Sequence, residues 1–127
     1  MQDQLQAFLD NVIDSLIKLE IVLFFHGNPG TIDTPQGVAM RIYRNSDVTT
    51  KALEELCAKG VLDCAHLGAG KYQLYSLSQD ASVLKNISLL DECYHGNRKV
   101  MLEIVKRFLP GKGNPGESQN GAARGAL

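Results

Sequence analysis

Between Ser46 and Leu77 the chain changes its apolar period once, from three-and-four spacing to alternation, which calls for a helix running directly into a two-stranded hairpin. Thr49, Ala52, Leu53 and Leu56 make one buried stripe and leave Thr50, Lys51, Glu54, Glu55 and Lys59 toward solvent. Asn45 or Ser46 caps the start, each offering a short side-chain oxygen to the free amides of the first turn, and Asp47 follows where the helix dipole favours negative charge. Lys59 lies in the last turn, and Gly60 supplies the left-handed residue that ends a helix without the cost of a Cβ. Strands are predicted at 61–67 and 71–77, with Leu62 and Cys64 in the first and Tyr72 and Leu74 in the second as the apolar positions. Gly68, Ala69 and Gly70 supply the positive φ angles of a short connecting loop.

Upstream, the apolar residues from Leu5 to Phe25 form one helical stripe broad enough to face both a core and a second partner. The run from His26 to Gly30 ends it, since Gly and Pro together break a helix. Thr34 and Pro35 restart one as cap and first helical residue, and Val38, Ala39, Ile42 and Tyr43 form its inner face. Ile32 is placed to pair as a single short strand.

Downstream the pattern is of another kind. Val83, Ile87, Leu90, Tyr94, Asn97, Met101, Ile104 and Phe108 alternate spacings of four and three, a heptad-like seam. One continuous helix over 82–109 would be roughly 40 Å long at about 1.5 Å per residue, too long to bury on a domain this small. A second copy of the chain is the expected partner, with Val83, Ile87, Leu90, Tyr94, Met101, Ile104 and Phe108 as the dimerisation seam. Two readings stay open here: Gly96 breaks the helix, or Asn97 fixes the register of an unbroken one. The organisation expected is a domain at 1–78, a coiled-coil-like helix at 79–109 and a disordered tail at 110–127, where Gly, Asn and Ser leave too little apolar surface to offset ordering.

Charge bears on partners. The net charge is −1, with 14 acids against 13 bases, so no overall positive surplus exists to attract phosphates. Its distribution is uneven: residues 1–40 hold five acids and one base, 41–72 five bases and four acids, and 97 onward six bases and two acids. The helix-hairpin region is thus slightly basic in an acidic setting. No run approaches the about 20 apolar residues of a membrane span, and the N-terminus lacks a basic leader, so neither membrane nor secretion is expected. Three cysteines without regular spacing fit a reducing interior, hence the cytoplasm.

The string ALEELCAKGVLD followed by GAGKYQLYSL resembles the end of the recognition helix and the wing of winged helix-turn-helix regulators, the ArsR, MarR and TrmB-like group. Leu53, Leu56, Gly60 and Val61 stand at the spacing with which that group closes its helix, and the resemblance covers roughly residues 14–78. It implies a mainly α fold with a small β-wing, a winged helix-turn-helix domain followed by a long C-terminal dimerisation helix. It further implies a homodimeric transcriptional regulator of double-stranded DNA, its recognition helix 46–59 in the major groove and its wing on the adjacent backbone or minor groove. Ser46, Thr49, Thr50 and Lys51 then lie at the groove, with Arg41, Arg44 and Lys71 on phosphates.

The same residues bear on other functions. Some ArsR-like regulators sense metal, and Asp91 and His95 stand one helical turn apart, with Cys57, Cys64, His66 and Cys93 elsewhere; yet no Cys-x-Cys and no second His pair complete a ligand set, so no metal or cofactor is expected. Cys57 and Cys64 read more simply as small buried hydrophobes. A winged helix that binds a protein partner instead of DNA is the alternative, favoured by the near-neutral charge and by Glu54 and Glu55. No paired acids, nucleophile set or phosphate-cradling loop points to an enzyme.

Overall fold

The computed structural model describes residues 3–109, and the tail expected at 110–127 lies outside the described residues. In chain order the elements are α1 (Asp3–Asn11), α2 (Leu16–Gly27), β1 (Ile32–Asp33), α3 (Pro35–Ile42), α4 (Ser46–Ala58), β2 (Leu62–Leu67), β3 (Tyr72–Leu77), α5 (Ala81–Gly96) and α6 (Arg98–Arg107). The chain divides into two compact units, Met1–Asp91 and Glu92–Leu127, so that the division falls inside α5.

The apolar stripe from Leu5 to Phe25 is two helices, not one. Val12 and Ile13 both donate their amides to the Phe8 carbonyl at 3.0 Å, closing α1. Ser15 then turns extended (φ −151°, ψ 159°) and its hydroxyl accepts from the Lys18 amide at 3.4 Å, starting α2. The periodicity concealed the break because the linker keeps burying apolar surface: Ile13 is as fully buried as Leu9 and Leu19 on either side.

The next elements form where their capping residues place them. Thr34 caps α3, its hydroxyl accepting from the Gly37 amide at 3.1 Å, with Pro35 in the first turn. Gly37 leaves room for the Asp33 side chain: a Cβ there would lie 2.0 Å from Asp33 Oδ1, the oxygen that accepts the Thr34 amide, and that carboxylate would have to turn away. Asn45 caps α4 through Oδ1, which accepts from Asp47 at 2.8 Å and Val48 at 3.2 Å. Gly60 ends it at φ 80°, with the Gly60 amide on Cys57 and the Val61 amide on Leu56. The buried face of α4 is Thr49, Ala52, Leu53 and Leu56, as its spacing required, and it packs against α2, α3 and β2.

The sheet is antiparallel in the order β1-β3-β2, with Ile32 opposite Ser76 and Leu62 opposite Leu77. Gly68, Ala69 and Gly70 all carry positive φ at the hairpin tip. The inner face of β3 is one residue out of phase with the sequence reading. Tyr75 pairs with Cys64 and is buried, whereas Tyr72 pairs with Leu67 and both are exposed. The register is set by Leu62 and Cys64, which need Leu77 and Tyr75 beside them on one face.

The continuous C-terminal helix does not form. Asn97 is extended (φ −143°, ψ 103°) and caps α6, accepting from the Val100 amide at 3.2 Å, immediately after Gly96 ends α5. Asp80 caps α5 in the same way through the amides of Ser82 and Val83. Of the proposed seam, Ile87, Leu90 and Ile104 are buried within the single chain, and Val83, Tyr94, Met101 and Phe108 are half-buried.

Two buried groups make the fold sensitive to alkali. Tyr75 is pushed up to about 12, first by burial and then by the Cys64 thiol beside it, with smaller contributions from Glu54 and Cys57. Lys18 is opposed by its burial, but the carboxylates of Asp14 and Glu55, each 2.7 Å from its ammonium, outweigh that and hold it above 10.5. Both folded values lie above the unfolded ones, so both contributions are intact below about pH 10 and are lost as pH rises through the folded values. Stability should fall between about pH 10 and 12, by something on the order of 2 kcal/mol from Tyr75. Thermal melts of the wild type and Tyr75→Phe across that range check it, the variant showing the smaller fall.

Candidate nucleic-acid interface

The outward line of α4 is Asp47, Lys51 and Glu54, opposite the stripe that packs into the core. Lys51 is exposed, whereas Glu55, the other acid on the helix, is turned back to Lys18 of α2 at 2.7 Å. Beside that line, Thr50 shares a cleft of about 210 Å³ with Thr34 and Gln36 at the start of α3 and with Lys71, Tyr72 and Gln73 of the hairpin. Three elements, the start of α3, α4 and the hairpin tip, therefore meet on one surface.

The residues expected at the groove divide. Thr50 and Lys71 come together in the cleft, and Lys51 stands free on the outer line. Thr49 does not reach this surface: it is fully buried, and its hydroxyl donates to the Asn45 carbonyl at 2.8 Å. Thr50 likewise donates to the Ser46 carbonyl at 2.8 Å, which leaves its methyl and its oxygen lone pairs outward. Ser46 is half-buried at the first turn.

The expected phosphate ligands are less free than their sequence positions suggest. Arg44 is held by both oxygens of Glu20, through Nε at 2.7 Å and Nη2 at 2.6 Å, and that hydrogen bonding raises its already high value further. Arg41 lies over the Phe24 ring at 5.7 Å, and Lys71 over Tyr72 at 5.5 Å. Both cations remain exposed, so the rings orient them without removing them from solvent.

One feature of this region escaped the sequence reading. Tyr43 belongs not to the inner face of α3 but to its C-cap, left-handed at φ 60° and 91% exposed. A left-handed conformation costs roughly 1–2 kcal/mol for a residue with a Cβ, and here no burial offsets it. Met40 at 76% and Val48 at 54% exposure flank it, so the turn between α3 and α4 carries an apolar patch.

Cys57, Cys64 and Cys93 are free half-buried thiols, and burial pushes the Cys57 thiol up. Among the described residues no three His, Cys, Asp or Glu side chains gather as a metal site would require. Nor is any helix there long and apolar enough to cross a membrane.

No protein-family model and no curated protein matches the sequence. Solved structures do. A possible transcriptional regulator from Methanosarcina mazei Go1 superposes with a TM-score of 0.55 over 77% of this chain and 84% of its own, at 12% identity. A double mutant of ZitR from Lactococcus lactis gives 0.56 over 82% and 77% at 14% identity, and ZitR is described as a zinc-responsive MarR family member. YusO from Bacillus subtilis gives 0.50 over 81% and 77% at 14% identity. A likeness at such identities is one of architecture, and the architecture shared, with α3 and α4 as the helix pair and β2–β3 as the wing, is the winged helix-turn-helix.

Proposed function

We propose that the chain is a DNA-binding transcriptional regulator that acts as a homodimer and reads the major groove with α4. The observation that carries this is the common surface of Thr50, Lys71 and the first turn of α3 beside the exposed Lys51. A duplex laid on it meets a helix for base edges and a wing for the backbone. Lys51, Thr50 and Ser46 then face the groove, and Lys71, Arg41 and Arg44 the phosphates, while Thr49 supports the helix from within. The resemblance in architecture to proteins named as transcriptional regulators supports the same reading. Two copies are needed because one copy brings few unpaired bases, and exposed Leu102 and Leu109 in and after α6 offer apolar surface for the pairing.

Fluorescence anisotropy with a labelled random-sequence duplex tests the reading. Binding should appear at low salt and weaken steeply as salt is raised; no binding at micromolar protein and roughly 50 mM salt would overturn it. Glu20→Gln frees Arg44 from its carboxylate partner and should tighten binding about threefold in the same assay. An unchanged affinity would remove Arg44 from the phosphate contacts.

The second reading, a winged helix that binds protein, is favoured by the apolar turn of Met40, Tyr43 and Val48 with Asp47 beside it. It requires that Tyr43→Ser abolish capture of a protein partner while Lys51→Glu leaves it intact.

A further inference from the structure

A second cleft, about 490 Å³, lies away from the proposed DNA surface, between the end of α2, the α2–β1 turn, the base of the hairpin and the start of α5. Its size suits a small organic molecule. Phe25, Pro29, Ile32, Leu77 and Leu84 give it apolar walls, and Ile32, on a two-residue edge strand, is left 64% exposed at its side.

The polar groups lining it differ in whether they are already engaged. Thr31 donates its hydroxyl to the Asn28 carbonyl at 2.6 Å, and Gln79 donates to the Leu77 carbonyl at 3.2 Å. His26 is held on both ring nitrogens, Nδ1 at 2.5 Å from Asp91 and Nε2 at 3.4 Å from the Ser88 hydroxyl, so the His26–Asp91 pair adds no net positive charge. Asp63 is the remaining charged group, and among the described residues its carboxylate takes part in no hydrogen bond or ion pair. Its charge is therefore available to an occupant.

We propose that this cleft binds an organic amine, its apolar ring seated against Phe25, Ile32, Leu77 and Leu84 and its ammonium on the Asp63 carboxylate. The walls supply affinity by removing apolar surface from water. The carboxylate supplies the choice of sign: a carboxylic acid of the same shape would face it with like charge. Asp63 is exposed, so the ion pair is screened and the preference is moderate, about fivefold. Because Asp63, Ser76 and Leu77 form the base of the hairpin whose tip carries Lys71, an occupant here also touches the wing.

Isothermal titration with tryptamine and with indole-3-propionate, which share a ring and differ in charge, tests the proposal. Tryptamine should bind the wild type about fivefold more tightly than the acid, Asp63→Asn should erase the difference, and Asp63→Lys should reverse it. Leu84→Trp, which fills the cleft, should weaken both ligands. Failure of tryptamine to bind at millimolar concentration, equal binding of the two indoles, or a preference that survives Asp63→Asn overturns it. None of these outcomes depends on DNA, so the cleft and the proposed DNA surface stand or fall separately.

Discussion

A Lys51→Glu chain is expected to bind duplex DNA at least about 30-fold more weakly than the wild type at one fixed salt concentration, with its thermal stability unchanged. A charge-assisted hydrogen bond is worth roughly 1.5–3 kcal/mol, or about 10- to 100-fold, and a reversal adds repulsion to the loss. Lys51 is the one base on α4, set between Asp47 and Glu54 on its outer line. After reversal that line holds three acids, and a helix so charged is repelled by the phosphates on both sides of the groove. Stability is spared because the side chain is exposed and, among the described residues, holds no ion pair. Lys51→Gln should lose less affinity than Lys51→Glu and should lower the slope of log affinity against log salt by about one per copy. If both variants bind as the wild type does, α4 is not the reading helix, and the apolar turn at Tyr43 becomes the surface to pursue.

What the sequence disclosed about this fold is what local chemistry alone determines. Gly60 had to be left-handed, Thr34 and Pro35 had to open a helix, and the Gly68–Gly70 loop had to turn; each of these is settled within four residues. The burial of Thr49, Ala52, Leu53 and Leu56 was legible for the same reason; the short strand at Ile32 was legible too, although its partner, Ser76, lies far along the chain. The misplaced features have other causes. Periodicity cannot distinguish one helix from two when the link between them is itself apolar, as Val12 and Ile13 are. The phase of β3 is set by its neighbours on β2, not by its own alternation. The heptad-like spacing after residue 82 was real, but Gly96 and the capping side chain of Asn97 are stronger local instructions than a seam.

The candidate site was less legible than the fold, and electrostatics is the reason. Arg44 reads as a free phosphate ligand until Glu20, 24 positions earlier, is found on its guanidinium, and Glu55 reads as an unpaired solvent-facing acid until Lys18 is found on its carboxylate. Lys18 itself sits inside an apolar stripe, where Asp14 in the link between α1 and α2 and Glu55 on α4 make a charged side chain only 9% exposed tenable. No spacing rule finds such pairs. Strain at Tyr43 was equally invisible, because a tyrosine four residues after the inward Ala39 reads as one more inward position.

The other large effect expected is on stability. Leu53→Ala should destabilise the fold by about 3 kcal/mol, within the roughly 2–5 kcal/mol that buried Leu→Ala changes cost. Domains of this size hold only about 5–15 kcal/mol in total, so the loss is a large fraction. Leu53 is completely buried on α4, a helix that packs against α2, α3 and β2, and a close-packed interior leaves little room to collapse into the space it vacates. Urea denaturation should show the midpoint falling with the slope unchanged, while Glu54→Ala, one residue on and exposed, stays within about 0.5 kcal/mol of the wild type. A cost below about 1 kcal/mol would mean that α4 is not anchored by this stripe. Paired with Lys51→Glu, the experiment separates the two faces of a single helix. Leu53→Ala should lose stability and retain DNA affinity in its folded fraction, whereas Lys51→Glu should keep stability and lose affinity. A helix that reads DNA must be held from behind by one set of residues and present another, and only opposite outcomes at positions two residues apart are consistent with that division.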